Sequence, residues 1–203
     1  MIGENLLPDW IFLLSGVYHL LQDPNNITTF SGIASPIVNN GREHWQAAHQ
    51  PKHENADLLH ELWARISETV LDERELAVYN EAIRELRCQL SLAMSAERHD
   101  LDIMDAFMWH FIVAESFMPL LREARQEAVA IFAHSLIIFN LSSGHKWLRG
   151  WDVLVMSRIW EILDEEHQVW ISWPIEQIGW VPPSVKRQWM VCDRSNEKDT
   201  GTH

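Results

Sequence analysis

Apolar residues recur along this chain at intervals of three and four, the spacing of one face of an α-helix. The first such stripe follows Pro8-Asp9 and comprises Trp10, Leu13, Leu14, Val17, Leu20 and Leu21. Asp23-Pro24-Asn25-Asn26 should end it, because proline cannot continue the ladder and asparagine favours turns. Residues 31–53 contain Gly32, Pro36, Asn39-Asn40-Gly41 and Pro51, which predict irregular chain with one or two short helical turns. A second helix is predicted from Glu54, with Leu58, Leu59, Leu62, Ile66 and Val70 on its apolar face. Asp72 then reads as an N-cap with Glu75 three residues on, a capping box. The helix it opens places Leu76, Tyr79, Ile83, Leu86, Leu90 and Ala93 in a narrow seam suited to one or two neighbours. About three heptads are too few for a strong dimeric coiled coil and favour an intramolecular bundle.

Arg98-His99-Asp100 breaks the pattern before two short apolar helices, near 101–109 and 114–122. The next helix, roughly 125–142, is apolar almost all round and should lie at the centre of the fold. Ser142-Ser143-Gly144 should end it. A further amphipathic helix is predicted from about Gly150 to Glu165, with Trp151, Leu154, Val155, Ile159, Ile162 and Leu163 on one face. Trp173-Pro174 and Pro182-Pro183 punctuate the C-terminal end, and the polar tail after Cys192 is expected to fray. No stretch shows the alternation of a strand. The expected fold is all-α, a single irregular multi-helix bundle around a central apolar helix, with a helical domain over 1–193 and a polar tail over 194–203.

Composition narrows the function. The formal charge is −13, and basic residues such as Arg84, Arg87, Arg122 and Arg125 alternate with acidic ones, so a direct nucleic-acid interface is not expected. Two cysteines, Cys88 and Cys192, make neither a disulfide framework nor a zinc site and suit a reducing compartment. Met1 to Asp9 lacks the basic start of a secretory signal. The longest apolar stretch, Ala128 to Leu141, is interrupted by His134, Ser135 and Asn140 and falls short of the about 20 residues that a membrane span needs. Tryptophan is the outlier: there are 11, seven of them between Trp147 and Trp189, and most should pack the core.

Catalytic signatures are missing from the sequence. It has no phosphate-cradling glycine loop and no serine in a nucleophile elbow. Cys88 falls inside a regular helix with no basic helper, a structural position. His44, His49, His53 and His60 cluster loosely, and Asp57–His60 and Asp164–His167 have the i, i+3 spacing of some di-metal bundles. The bridging glutamates of such a site cannot be assembled, so neither a metal nor any other cofactor is expected, and the chain is read as not an enzyme. His134 and Ser135 stand out in the apolar helix, because a buried polar group must be bonded or cost about 1–3 kcal/mol. One reading is a core histidine bonded to a tryptophan or a backbone carbonyl; the other is a polar tip in an apolar ligand cavity.

Two blocks carry a resemblance. One is Pro8-Asp9-Trp10-Ile11-Phe12-Leu13-Leu14-Ser15-Gly16-Val17. The other starts at Trp109 and includes Pro119-Leu120-Leu121-Arg122, Ala133-His134-Ser135, Trp147-Leu148-Arg149-Gly150-Trp151 and Leu163-Asp164-Glu165-Glu166. It closes on Trp173-Pro174-Ile175-Glu176-Gln177-Ile178-Gly179-Trp180, the most specific piece. Over residues 6–183 the chain resembles the C-terminal regulatory region of fungal binuclear zinc-cluster transcription factors, particularly those similar to the sterol uptake control protein. It departs from them in lacking the six-cysteine DNA-binding cluster and the helices that usually precede the Pro–x–Trp block. It also has His110 where many relatives place a proline.

The resemblance implies a ligand-responsive regulatory domain, nuclear or shuttling between cytosol and nucleus, that takes an apolar small molecule (a sterol in the sterol-responsive members) or a protein partner. The expected pocket walls are Phe107, Trp109, Phe111, Phe132, His134, Ile137, Trp147, Trp151 and Leu154. Two other readings stand beside it: a helical scaffold that homodimerises through the 72–97 seam, and a metal-dependent helical-bundle enzyme.

Overall fold

A computed structural model of the protein describes residues 59–95, 103–142 and 149–183. These form eight helices: α1 (His60–Thr69), α2 (Glu73–Ser95), α3 (Ile103–Ile112), α4 (Met118–Arg122), α5 (Gln126–Leu141), α6 (Trp151–Ile162), α7 (Glu165–Trp170) and α8 (Ser172–Ile178). There is no strand among the described residues, so the all-α expectation holds. The predicted helix over 10–21, the irregular stretch 31–53, His44, His49, His53, Asp57, Trp147 and the tail lie outside the described residues.

α5 is the axis. Every side chain from Ala128 to Phe139 is buried, so the helix contributes no solvent face over three turns. It can be surrounded because its sequence has no charged residue after Glu127. α2, α3 and α4 pack on it, and so do α6, α7 and α8 from the C-terminal third. α1 folds back on α2 through the Val70–Asp72 link and seals the N-terminal end of this layer with Leu62 and Ile66.

Local chemistry explains the element boundaries. Asp72 Oδ1 accepts from the amides of Arg74 (2.8 Å) and Glu75 (3.3 Å), the expected cap of α2. Glu75 does not complete a reciprocal box; its Oε1 takes the Tyr79 hydroxyl at 2.6 Å instead. Burial, and after it that bond, push the Tyr79 phenol well above its ordinary range. The seam on α2 is buried against neighbours of the same chain, with Tyr79, Leu86 and Leu90 fully covered. The burial is broader than a narrow seam, for Glu85, Cys88 and Gln89 are covered as well. α2 is therefore covered over most of its circumference in its middle turns, with Glu81 and Arg84 left on an exposed face.

The C-terminal third is more broken than its periodicity suggested. Where one helix was expected over 150–165, α6 stops at Ile162 and α7 restarts at Glu165. Asp164 causes the restart by capping the His167 amide at 2.9 Å. Trp173-Pro174 does not end the fold: Pro174 sits in the first turn of α8, where a missing amide hydrogen costs nothing. Gly179 then stops α8 at φ 72°, with the Trp180 amide reaching back to the Ile175 carbonyl. The Trp–Pro–x–Glu–x–x–Gly–Trp sequence thus encodes a two-turn helix with a proline start, a glycine stop and a tryptophan at each end.

Candidate functional site

The expected wall residues distribute around α5 on two flanks. Phe132 and Phe139, two turns apart, face α3, where Phe107 meets Phe139 edge-on at 5.2 Å between ring centres. Trp109 is fully buried in the same layer, packs against Phe117 at 5.2 Å and donates its indole N–H to the Ala82 carbonyl at 2.9 Å. His110, 1% exposed, sits among these rings, 5.6 Å from Phe132, 5.4 Å from Phe139 and 5.0 Å from Trp109, all near edge-to-face. It lies inside the regular turns of α3, so it does not interrupt the helix in the way a proline would. Sequence reasoning noticed His110 only as a departure from a pattern; its burial among the side chains of Phe107, Trp109, Phe132 and Phe139 was not foreseen.

His134 lies on the other flank. Two residues beyond Phe132 is a rotation of about 200° around the helix, which turns it toward α8. Its ring tilts against Trp173 of α8 at 5.8 Å and 37°. Nδ1 lies 2.8 Å from the Ala130 carbonyl oxygen. Burial pushes the imidazole down to about 4, against the upward pull of that carbonyl and of the Glu61 carboxylate. The ring is therefore neutral at pH 7. Ser135 spends its hydroxyl within the helix, donating to the Phe132 carbonyl at 2.7 Å.

Ile137 is buried on the His134 side, whereas Phe111 and Trp151 are half-buried at the edges of the cluster. Leu154 is corrected: it is 60% exposed, because α6 turns Val155, Met156 and Ile159 inward and leaves Val153 and Leu154 outside. Its sequence position three residues from Trp151 placed it on an apolar face that is wider than the face actually buried. Phe107, Trp109 and Phe132 are thus brought together, His134 and Ile137 are brought to the opposite flank, and Leu154 joins neither.

The short C-terminal helices are held over α5 by polar pins. Gln126, at the start of α5, accepts the Asp164 amide at 2.9 Å and donates to the Ile162 carbonyl at 3.4 Å. Gln168 donates to the Trp160 and Leu163 carbonyls at 3.0 and 3.1 Å. At the far end of α5, Asn140 donates to the buried carboxylate of Asp152 at 2.7 Å. Trp170 is buried and Trp160 packs on Trp180 at 5.7 Å. These glutamines carry no motif, and only the fold shows what they bridge.

The i, i+3 pair Asp164–His167 has a structural role. Asp164 Oδ1 takes both the His167 amide and its Nδ1 hydrogen, the latter at 2.7 Å. Those bonds hold the carboxyl below its ordinary range. No cluster of three or more potential metal ligands occurs among the described residues. No helix among them is long and apolar enough to cross a membrane. Comparison with protein-family models, with curated proteins and with solved structures finds no match to this chain.

Proposed function

We propose that this chain is a regulatory domain that works by binding, with an apolar small molecule, a sterol included, or a protein partner as its effector. The observation that carries the reading is the cap formed by α6, α7 and α8: indole-bearing short helices laid over the apolar α5 and pinned by a few side-chain amides. A helix of six or seven residues has little stability of its own, so its position depends on what it packs against. Such a cap responds to an occupant of the interface more readily than a continuous helix would. The neutral imidazole of His134 beneath Trp173 supplies the sparse polarity typical of an apolar binding site.

On this reading, and from the resemblance in its residues, the domain belongs to the regulatory half of a fungal zinc-cluster transcription factor acting in the nucleus. It has no catalytic role, and DNA contact falls to a separate cysteine-cluster domain. Thermal denaturation of the purified chain with a panel of sterols tests the ligand. A binder of the folded state must raise its melting temperature, and no shift with any member overturns the sterol version. A six-cysteine cluster encoded just upstream of Met1 would support the transcription-factor assignment, and an unrelated upstream sequence would count against it.

A further inference from the structure

The outer edge of α6 carries a partly exposed apolar stripe. Val153 and Trp160 are seven residues apart, so they stand on one face two turns from each other, with Ser157 between them. Val153 is exposed, and Ser157 and Trp160 are half-buried. Leu154, about 100° further round the helix, stays outside this stripe. Trp180 packs on Trp160 at 5.7 Å, and Val181 next to it is exposed. The chain therefore leaves the described fold at the stripe itself. Its last described residues are Pro182 and Pro183, and Pro183 already has helical conformation, as suits a proline at the first position of a helix.

The sequence that follows carries a matching pattern. Val185, Gln188, Trp189 and Cys192 recur at i, i+3, i+4 and i+7, with Lys186 and Arg187 off that face. The two stripes are equally long, for Val153 to Trp160 and Val185 to Cys192 each span about 10.5 Å along a helix. Charge is complementary as well. Glu161, Asp164, Glu165 and Glu166 are all exposed at the corner where α6 gives way to α7. Arg158 and His167 partner the first two, and Glu165 and Glu166 make no ion pair among the described residues.

We propose that residues 184–192 dock as an amphipathic helix antiparallel to α6. In that register Val185 meets Trp160, Trp189 lies over the small side chain of Ser157, and Cys192 reaches Val153. Lys186 and Arg187 then fall at the acidic corner. The docked stretch braces Trp180, and with it the end of α8, from outside, so it sets how firmly the C-terminal cap is held. The inference stands on these two surfaces and not on the identity of any ligand.

The test uses the full chain. In a glutathione redox buffer, Val153→Cys should form a disulfide with Cys192 of the same molecule, located by mass spectrometry of its peptides; Cys88 is buried and does not compete. The effective concentration of that pair should exceed the value for Arg158→Cys by at least about 10-fold. Arg158 is exposed on the same helix, about 140° round from Val153. In the wild-type protein, amides 188–192 should exchange at least about 10-fold more slowly than amides 196–203. Equal pairing at the two positions, or none at either, overturns the docking. So do disulfides between chains, which would make a second copy the occupant, and exchange at 188–192 as fast as at 196–203.

Discussion

The two flanks of α5 are built differently. On the α3 flank, aromatic rings interlock edge to face, and a long-range polar bond, from Trp109 to Ala82, is fully buried. On the C-terminal flank, three helices of 12, 6 and 7 residues meet α5 through buried Val155, Met156, Ile159 and Ile171, ringed by half-buried tryptophans and by glutamine and asparagine bonds. The same central helix thus has a rigid side, where each ring is fixed by several others, and a more adjustable side, where short helices rest on aliphatic packing and a few polar pins. Packing density makes the first costly to disturb, and the shortness of α7 and α8 makes the second less so. The binding role proposed above draws on the second.

Substitutions can break or sharpen that contrast. The largest effect is expected at Trp109→Ala, which removes a fully buried indole and its bond to the Ala82 carbonyl; a loss of about 3–5 kcal/mol in urea unfolding is anticipated. A loss under about 1 kcal/mol would mean that the α3 flank is not the rigid one. The next effect is on pH dependence. His134 is depressed in the fold relative to the unfolded chain, so the unfolded state binds the extra proton between about 6.5 and about 4. Its contribution is fully present above pH 6.5 and is lost as pH falls toward 4, on the order of 3 kcal/mol in all. His134→Phe should flatten that acid limb, and an unchanged pH–stability curve would count against a buried neutral ring.

Gln126→Ala should cost about 1–2 kcal/mol and raise amide exchange in α7 and α8 while leaving α3 unaffected. Uniform loosening of both flanks would erase the distinction between them. At the small end, Leu154→Ser should change stability by no more than about 0.5 kcal/mol, since the side chain faces water. A large loss there would restore Leu154 to the wall in which its periodicity placed it.

Much of this arrangement was legible in the amino-acid order. Eleven of the sixteen residues of α5 are apolar, which leaves no polar face and therefore demands the centre. The Asp72 cap followed from a local pattern, because capping is decided within one helical turn. The start of α6 was also near its predicted place, with Gly150 at φ 84° just ahead of it. The break at Asp164 was missed, although the residue carries its own signal as a cap three residues before a histidine. Periodicity ran through the break because Leu163 continues the apolar face.

What the chain determined by itself is therefore the identity of the central helix, from apolarity sustained over its whole length, and caps such as Asp72, which depend on neighbours within about one turn. Which flank of α5 each aromatic residue occupies was decided by the tertiary structure. Phe132 and His134 are two residues apart in sequence yet face different helices, and the predicted wall that held them together was divided for that reason. The role of Gln126 was also invisible beforehand. A side-chain amide acquires a partner 38 positions away only once folding has brought the carbonyl and amide groups to it.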